Sequence, residues 1–157
     1  MTAPMNTNEK TRILNETFGF TSFREGQEEV VDALVRGEDV LAVMPTGAGK
    51  SLCYQVPALV RDGLAIVVSP LVALMRDQVA ALALNGVAVE TINSSRDRAE
   101  NVDAWLRAAD GRIKLLYLSP ERLMTDRMLA ALAKLDISLI AVDEAHCISQ
   151  WGPSFRP

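Results

Sequence analysis

The sequence lacks the features that would place the chain in an oxidising or membrane setting. Its two cysteines, Cys53 and Cys147, are too few and too isolated for a disulfide framework, and Cys53 lies in an apolar run typical of a packed helix. No stretch approaches the roughly 18 continuous apolar residues of a membrane span. Residues 1–10 are polar and carry no apolar core of a secretion signal. A reduced, cytoplasmic protein with no membrane contact is expected. Positive charge is not in excess either, since 16 basic against 20 acidic residues leave a net charge of -4. Whole-chain electrostatics therefore provide no attraction to nucleic acid. This excludes only binding driven by bulk charge, because a groove that grips a strand needs just local donors and stacking surfaces. His146 stands beside Cys147, but no second cysteine pair at zinc spacing accompanies them. Repeats, low-complexity tracts and linkers are absent.

What is present is a core. With 157 residues and 49% hydrophobic content, the chain can bury one apolar interior, so a single domain over 9–157 behind a flexible polar tail at 1–8 is expected. A capping pattern at Asn6 and Glu9 opens a helix carrying Ile13, Leu14 and Phe18. A second helix is predicted from Ser22, with Glu25 three residues on, through Val30, Val31 and Leu34 to Gly37.

From Asp39 the periodicity changes to short apolar runs alternating with helical patterns. Residues 39–43, 64–68, 87–92, 113–118 and 137–142 read as strands. Ser69-Pro70 and Ser119-Pro120 each follow a strand, as a cap and first-turn proline would, and Ser94 with Asp97 does the same before the helix of Trp105. Strands this rich in Val, Ile and Leu, separated by helices, predict a three-layer α/β domain with a mainly parallel sheet covered on both faces. Ligands of such sheets gather beyond the carboxyl ends of the strands, so the loops after 43, 68, 118 and 142 are where chemistry is sought.

The first of those loops is Met44-Pro45-Thr46-Gly47-Ala48-Gly49-Lys50-Ser51, followed by a helix-compatible run through Leu59. It reads as a phosphate-binding loop, P-loop type. Glycines let backbone N–H groups turn inward on phosphates, Lys50 reaches the β/γ-phosphates, and the Ser51 hydroxyl can ligate Mg2+. Met44 stands where the strict pattern has glycine. After the last strand come Asp143-Glu144-Ala145-His146. Adjacent acids in a loop are often only solvated, but alongside a phosphate loop they can divide labour. Asp143 would hold magnesium, and Glu144 would orient and deprotonate the water attacking the γ-phosphate.

Taken together these motifs resemble the RecQ-type DNA helicases, from about residue 14 to residue 157. Phe18-Gly19-Phe20 with Phe23-Arg24 and Gln27 is similar to that family's adenine-recognition motif. The resemblance implies that Phe20 and Arg24 flank the base while Gln27 hydrogen-bonds its edge. Leu52 to Pro57 resembles the tail of the family's phosphate loop, completing an ATP site of Thr46, Gly47, Ala48, Gly49, Lys50 and Ser51. Ser69-Pro70-Leu71 with Asp77-Gln78, and Ser119-Pro120-Glu121-Arg122, resemble strand-contacting motifs. The stretch DEAHCISQWGPSFRP looks like the DEAH box running into RecQ's aromatic-rich loop, in which Trp151 and Phe155 would stack on single-stranded bases with Gln150 and Arg156 beside them. His146 would link the ATP site to that loop.

What the resemblance implies is an incomplete amino-terminal RecA-like motor domain of an ATP-dependent DNA helicase. It would act with ATP and Mg2+ on single-stranded DNA and duplex junctions, in repair and recombination, with 3'–5' polarity, in a chromosome-associated setting. The family's later motifs and second motor domain do not follow Pro157, so the chain alone is not expected to unwind DNA. An inactive nucleotide- or nucleic-acid-binding module is the alternative; an RNA helicase fragment is disfavoured by the aromatic loop. Oligomeric state stays open. Pro153 and Ser154 depart from the His and Asp usual in RecQ relatives, which implies altered coupling between DNA and ATP.

Overall fold

A computed structural model describes residues 3–38 and 51–142, with side chains from residue 9 onward. The predicted strand 39–43, Thr46 to Lys50 and everything after Val142 lie outside the described residues. Contacts group the chain into two compact units, residues 1–62 and 63–157.

The first unit contains α1 (Ala3–Glu16), α2 (Gln27–Val35) and α3 (Leu52–Val60). Helix α1 starts before the capping pattern at Asn6, because Pro4 sits in the first turn, where its missing N–H and fixed φ cost nothing. It ends at Glu16, so Phe18 falls just beyond it. Ile13, Val31 and Val56, one from each helix, form the centre of this unit's core, with Phe18, Phe23, Val35 and Leu52 packed around them. Arg61 at the end of α3 donates from Nη1 to the Leu34 carbonyl at 3.2 Å, tying the ends of α3 and α2 together.

Among the described residues of this unit one charged group is buried. Lys10 of α1 is 4% exposed and pairs with Asp32 and with Glu28 of α2, the latter at 2.9 Å. Its ammonium also lies 5.9 Å from the centre of the Phe23 ring. Burial alone would lower the Lys10 pKa, but the hydrogen bonds and charges of Asp32 and Glu28 outweigh it, and the group titrates above its ordinary value.

The second unit is a sheet covered by helices. Its elements are β1 (Leu64–Val68), α4 (Val72–Leu84), β2 (Val89–Ile92), α5 (Arg98–Ala109), β3 (Leu115–Leu118), α6 (Pro120–Leu123), α7 (Asp126–Leu132) and β4 (Ile137–Val142). The strands pair in the order β2-β3-β1-β4, and every pairing is parallel, as expected of strands buried on both faces. Leu64, Ile66, Val68, Leu116 and Leu118 face Ala104 and Ala108 of α5, Leu123 of α6 and Leu132 of α7 in one continuous core. The alternate residues Ala65, Val67, Leu115 and Tyr117 are also fully buried. Burying a side chain such as Val67 or Leu115 is worth about 1.5–3 kcal/mol.

β1 and β4 span the predicted residues, whereas β2 and β3 each begin two residues later than expected. Just ahead of β3, Lys114 meets the sheet's end through its N–H to the Ala88 carbonyl at 2.8 Å and its carbonyl, which accepts the Ala65 N–H at 2.9 Å. Gly63 makes the first turn into the sheet possible. Its φ is +102°, and a Cβ there would stand 2.7 Å from the Asp136 carbonyl, so only glycine lets β1 come alongside β4 at this point.

Helix starts differ more. Helix α4 begins at Val72 with Leu71 in the cap position, because the Ser69 hydroxyl takes the Leu71 N–H at 3.3 Å and closes a local turn instead of capping the helix. Ser94 is likewise not the cap of α5; Asp97 is, in a reciprocal capping box with Glu100. Ser119 does cap α6, with Pro120 in the first turn, although its hydroxyl makes no capping bond. Among the described residues no helix is long and apolar enough to cross a membrane.

Lys10→Met should remove the ion pairs at similar side-chain volume and lower the unfolding free energy by about 1–2 kcal/mol, read as a shifted urea midpoint. Because the folded-state pKa is raised, the lysine's contribution is whole below about pH 10.4 and fades as pH rises through the folded value. The difference between the two proteins should therefore shrink at strongly alkaline pH.

Candidate functional site

The first candidate region lies between α1 and α2. Beyond the end of α1, the Gly19 N–H donates to the Asn15 carbonyl and the Phe20 N–H to the Leu14 carbonyl, both at 3.1 Å. These bonds hold the turn that carries Phe20, whose ring is 48% exposed and free to meet a planar partner. The predicted helix start at Ser22 is not realised, because Gly26, with φ +86°, precedes a helix that begins at Gln27. The residues that would have formed its first turn are instead fastened to Gln27. The Gln27 N–H donates to the Arg24 carbonyl at 3.0 Å, and the Gln27 Oε1 accepts the Arg24 N–H at 2.7 Å.

This reciprocal pair fixes the buried Gln27 amide at the base of the loop while the Arg24 guanidinium is exposed. Phe20, Arg24 and Gln27 are the residue types that the motif implies for adenine. Not all of the predicted site is assembled, however. No ring contact joins Phe20 to Arg24 among the described residues. The concavity here, about 340 Å³, is lined by Phe23, Arg24, Glu28, Glu29 and Asp32 and includes neither Phe20 nor Gln27. Its acids make it unsuited to phosphate.

Lys10 is the residue of this region that sequence reading missed. It holds Glu28 and Asp32 and lies over Phe23, so it braces the adenine-motif loop against α1. The available signal was its position three and four residues before Ile13 and Leu14, on the stripe that those residues bury.

The second candidate region is the amino terminus of α3. The Ser51 carbonyl accepts the Gln55 N–H at 2.9 Å, and its hydroxyl makes no capping bond to the helix. A helix therefore starts at the residue after Ser51, as phosphate binding at a glycine-rich loop requires. Cys53 in its first turn is buried, and burial pushes its thiol pKa up, so it stays protonated. Thr46, Gly47, Ala48, Gly49 and Lys50 lie outside the described residues.

The third region is the carboxyl edge of the sheet. Parallel pairing sets Val68, Leu118 and Val142 level with one another, so the chain leaves all three strands at one edge. Ser69, Pro70 and Ser119 stand there. The Ser69 N–H donates to the Leu118 carbonyl at 3.1 Å, while the Ser119 hydroxyl is buried with no hydrogen-bond partner among the described residues. Asp143, Glu144, His146, Gln150, Trp151, Phe155 and Arg156 fall outside the described residues. Among those described, no group of acids, histidines and cysteines could hold a metal ion.

Comparison with known proteins follows the same pattern. The profile of the DEAD/DEAH box helicase family matches residues 24–157. The chain is 50% identical over 145 residues to a protein of Haemophilus influenzae named ATP-dependent DNA helicase RecQ, covering 92% of this chain and 23% of that one. It is 46% identical over 147 residues to a Bacillus subtilis protein named probable ATP-dependent DNA helicase RecS, covering 93% and 29%. An Arabidopsis thaliana protein named ATP-dependent DNA helicase Q-like 5 is 44% identical over 149 residues, covering 94% and 16%. The chain thus spans less than a third of the length of each of these relatives.

Gln27→Ala should leave the Arg24 N–H without its acceptor and cost about 1–3 kcal/mol in chemical denaturation. Gln27→Glu retains an acceptor oxygen and should cost less. Equal losses for the two variants would mean that the Arg24 bond contributes nothing to the loop.

Proposed function

Since the chain belongs to the DEAD/DEAH box helicase family, we propose that it forms the ATP-binding part of a RecQ-like DNA helicase motor, which couples ATP hydrolysis to the unwinding of duplex DNA. The observation that carries this reading is the Arg24–Gln27 pair, which fixes a buried amide at the base of a loop flanked by an exposed phenylalanine and an exposed arginine. Adenine would lie between Phe20 and Arg24, with its edge on Gln27. The start of α3 immediately after Ser51 supports phosphate binding by Thr46 to Ser51, with Lys50 on the β/γ-phosphates.

Mg2+, held by Ser51 and Asp143, would neutralise charge on the phosphates. Glu144 accepts the proton of the attacking water. His146 relays the state of the ATP site to the loop of Gln150, Trp151, Phe155 and Arg156, whose aromatic rings stack on single-stranded bases. Ser69 and Pro70, at the carboxyl edge of the sheet, contact the DNA backbone, which is gripped without regard to sequence. Single-stranded DNA and duplex junctions are the substrates, and the setting is cytoplasmic and chromosome-associated. In that arrangement local donors and stacking compensate for a net charge of -4.

Calorimetric titration of the chain with ATP and GTP in the presence of magnesium tests the proposal. ATP should bind more tightly. Gln27→Glu, which preserves the loop but loses a donor to the base, should narrow the difference, and Lys50→Ala should weaken both nucleotides alike. Equal affinity for ATP and GTP in the unmodified chain would overturn the adenine assignment.

A further inference from the structure

Between α5 and the α6–α7 segment the second unit carries a groove of about 730 Å³. Its charged lining is all of one sign, Arg96, Arg98, Arg122 and Arg127, in a chain with more acids than bases. Arg96 is held from within, 3.1 Å from Glu90 and 3.7 Å from Glu100. The other three make no ion pair with a described residue. The floor is apolar. Val102 is 46% exposed, while Trp105 and Met128 are half-buried against the core. Leu106 of α5 and Leu129 of α7, 59% and 44% exposed, are further large apolar side chains on these two helices. Apolar side chains in a groove whose charged lining is all of one sign mark an interaction site rather than ordinary solvent-facing helix.

The groove's remaining polar groups are already used. Asn101 accepts the Asn93 N–H at 3.3 Å and donates to the Asn93 carbonyl at 3.0 Å. The Thr125 hydroxyl accepts the Met128 N–H at 3.2 Å and donates to the Arg122 carbonyl at 3.0 Å. What remains to recognise a partner is guanidinium at the rim and hydrocarbon on the floor. Sequence-blind binding of a nucleic-acid strand calls for successive stacking faces, and the floor offers one indole, part of which is committed to the core. Carboxylates paired with guanidinium, above apolar side chains in the groove, match both elements. We infer that this groove docks an acidic amphipathic segment of another protein, with apolar residues at helical spacing on one side and Asp or Glu on the other.

The probe is a fluorescent helical peptide with Leu and Phe at i, i+3, i+4 and i+7 and Glu between them, titrated with the chain in anisotropy measurements. Controls are a scrambled peptide of the same composition and oligo(dT). Saturable binding of the patterned peptide is expected, and Arg98→Glu with Arg127→Glu should weaken it by about tenfold or more. Val102→Asp should weaken it comparably. All three positions are exposed, and unchanged thermal midpoints would show that the fold is retained. The charge-reversed chain should in turn prefer a peptide with Lys in place of Glu. Equal binding of the scrambled peptide, or indifference to charge reversal, overturns the inference. So does oligo(dT) that competes with the peptide and is weakened by the same substitutions, since the groove would then belong to nucleic acid.

Discussion

A parallel strand pair cannot be closed by a tight turn, because the chain must cross the length of the sheet before it can run the same way again. The second unit obeys this constraint three times, and each return is helical: α4 between β1 and β2, α5 between β2 and β3, α6 with α7 between β3 and β4. The returns supply the helices that pack on the sheet, and they also bring every strand's carboxyl end to one edge. Ser69 and Ser119 are neighbours because Val68 and Leu118 are in register. Chemistry carried on separate loops can meet only where such an edge collects them.

Strands β1 and β4 were legible to the residue, since Leu64–Val68 and Ile137–Val142 are apolar runs with polar residues on both sides. The starts of β2 and β3 were less so, because side-chain hydrophobicity does not reveal where ladder pairing begins. Helix starts were misread where two local solutions compete for one N–H. The Ser69 hydroxyl could have capped α4 but bonds two residues ahead, and the Gln27 side chain captures the Arg24 N–H that a helix from Ser22 would have used otherwise. Both outcomes turn on side-chain rotamers, which a spacing pattern does not carry. The adenine-motif residues were proposed from their types and order. Lys10 was not, because its role depends on Glu28 and Asp32 from a different helix.

The charge balance has a spatial meaning that composition hides. Acids crowd the outside of α2, where Glu28, Glu29 and Asp32 line one concavity, while Arg96, Arg98, Arg122 and Arg127 line the groove between α5 and the α6–α7 segment. A net value of -4 describes neither surface. Electrostatic attraction at distances within the Debye length, about 8 Å at physiological salt, is decided by these local sets.

The central claim is that Phe20 to Gln27 and the amino terminus of α3 together hold an adenine nucleotide. Amide hydrogen exchange on the chain, with and without ATP and magnesium, addresses it directly. Added protection is expected in the turn of residues 19–27 and in the first turn of α3 from Leu52, with GTP giving clearly less in the former. Protection confined to α5 and α7, or identical for ATP and GTP in the turn, would contradict the account.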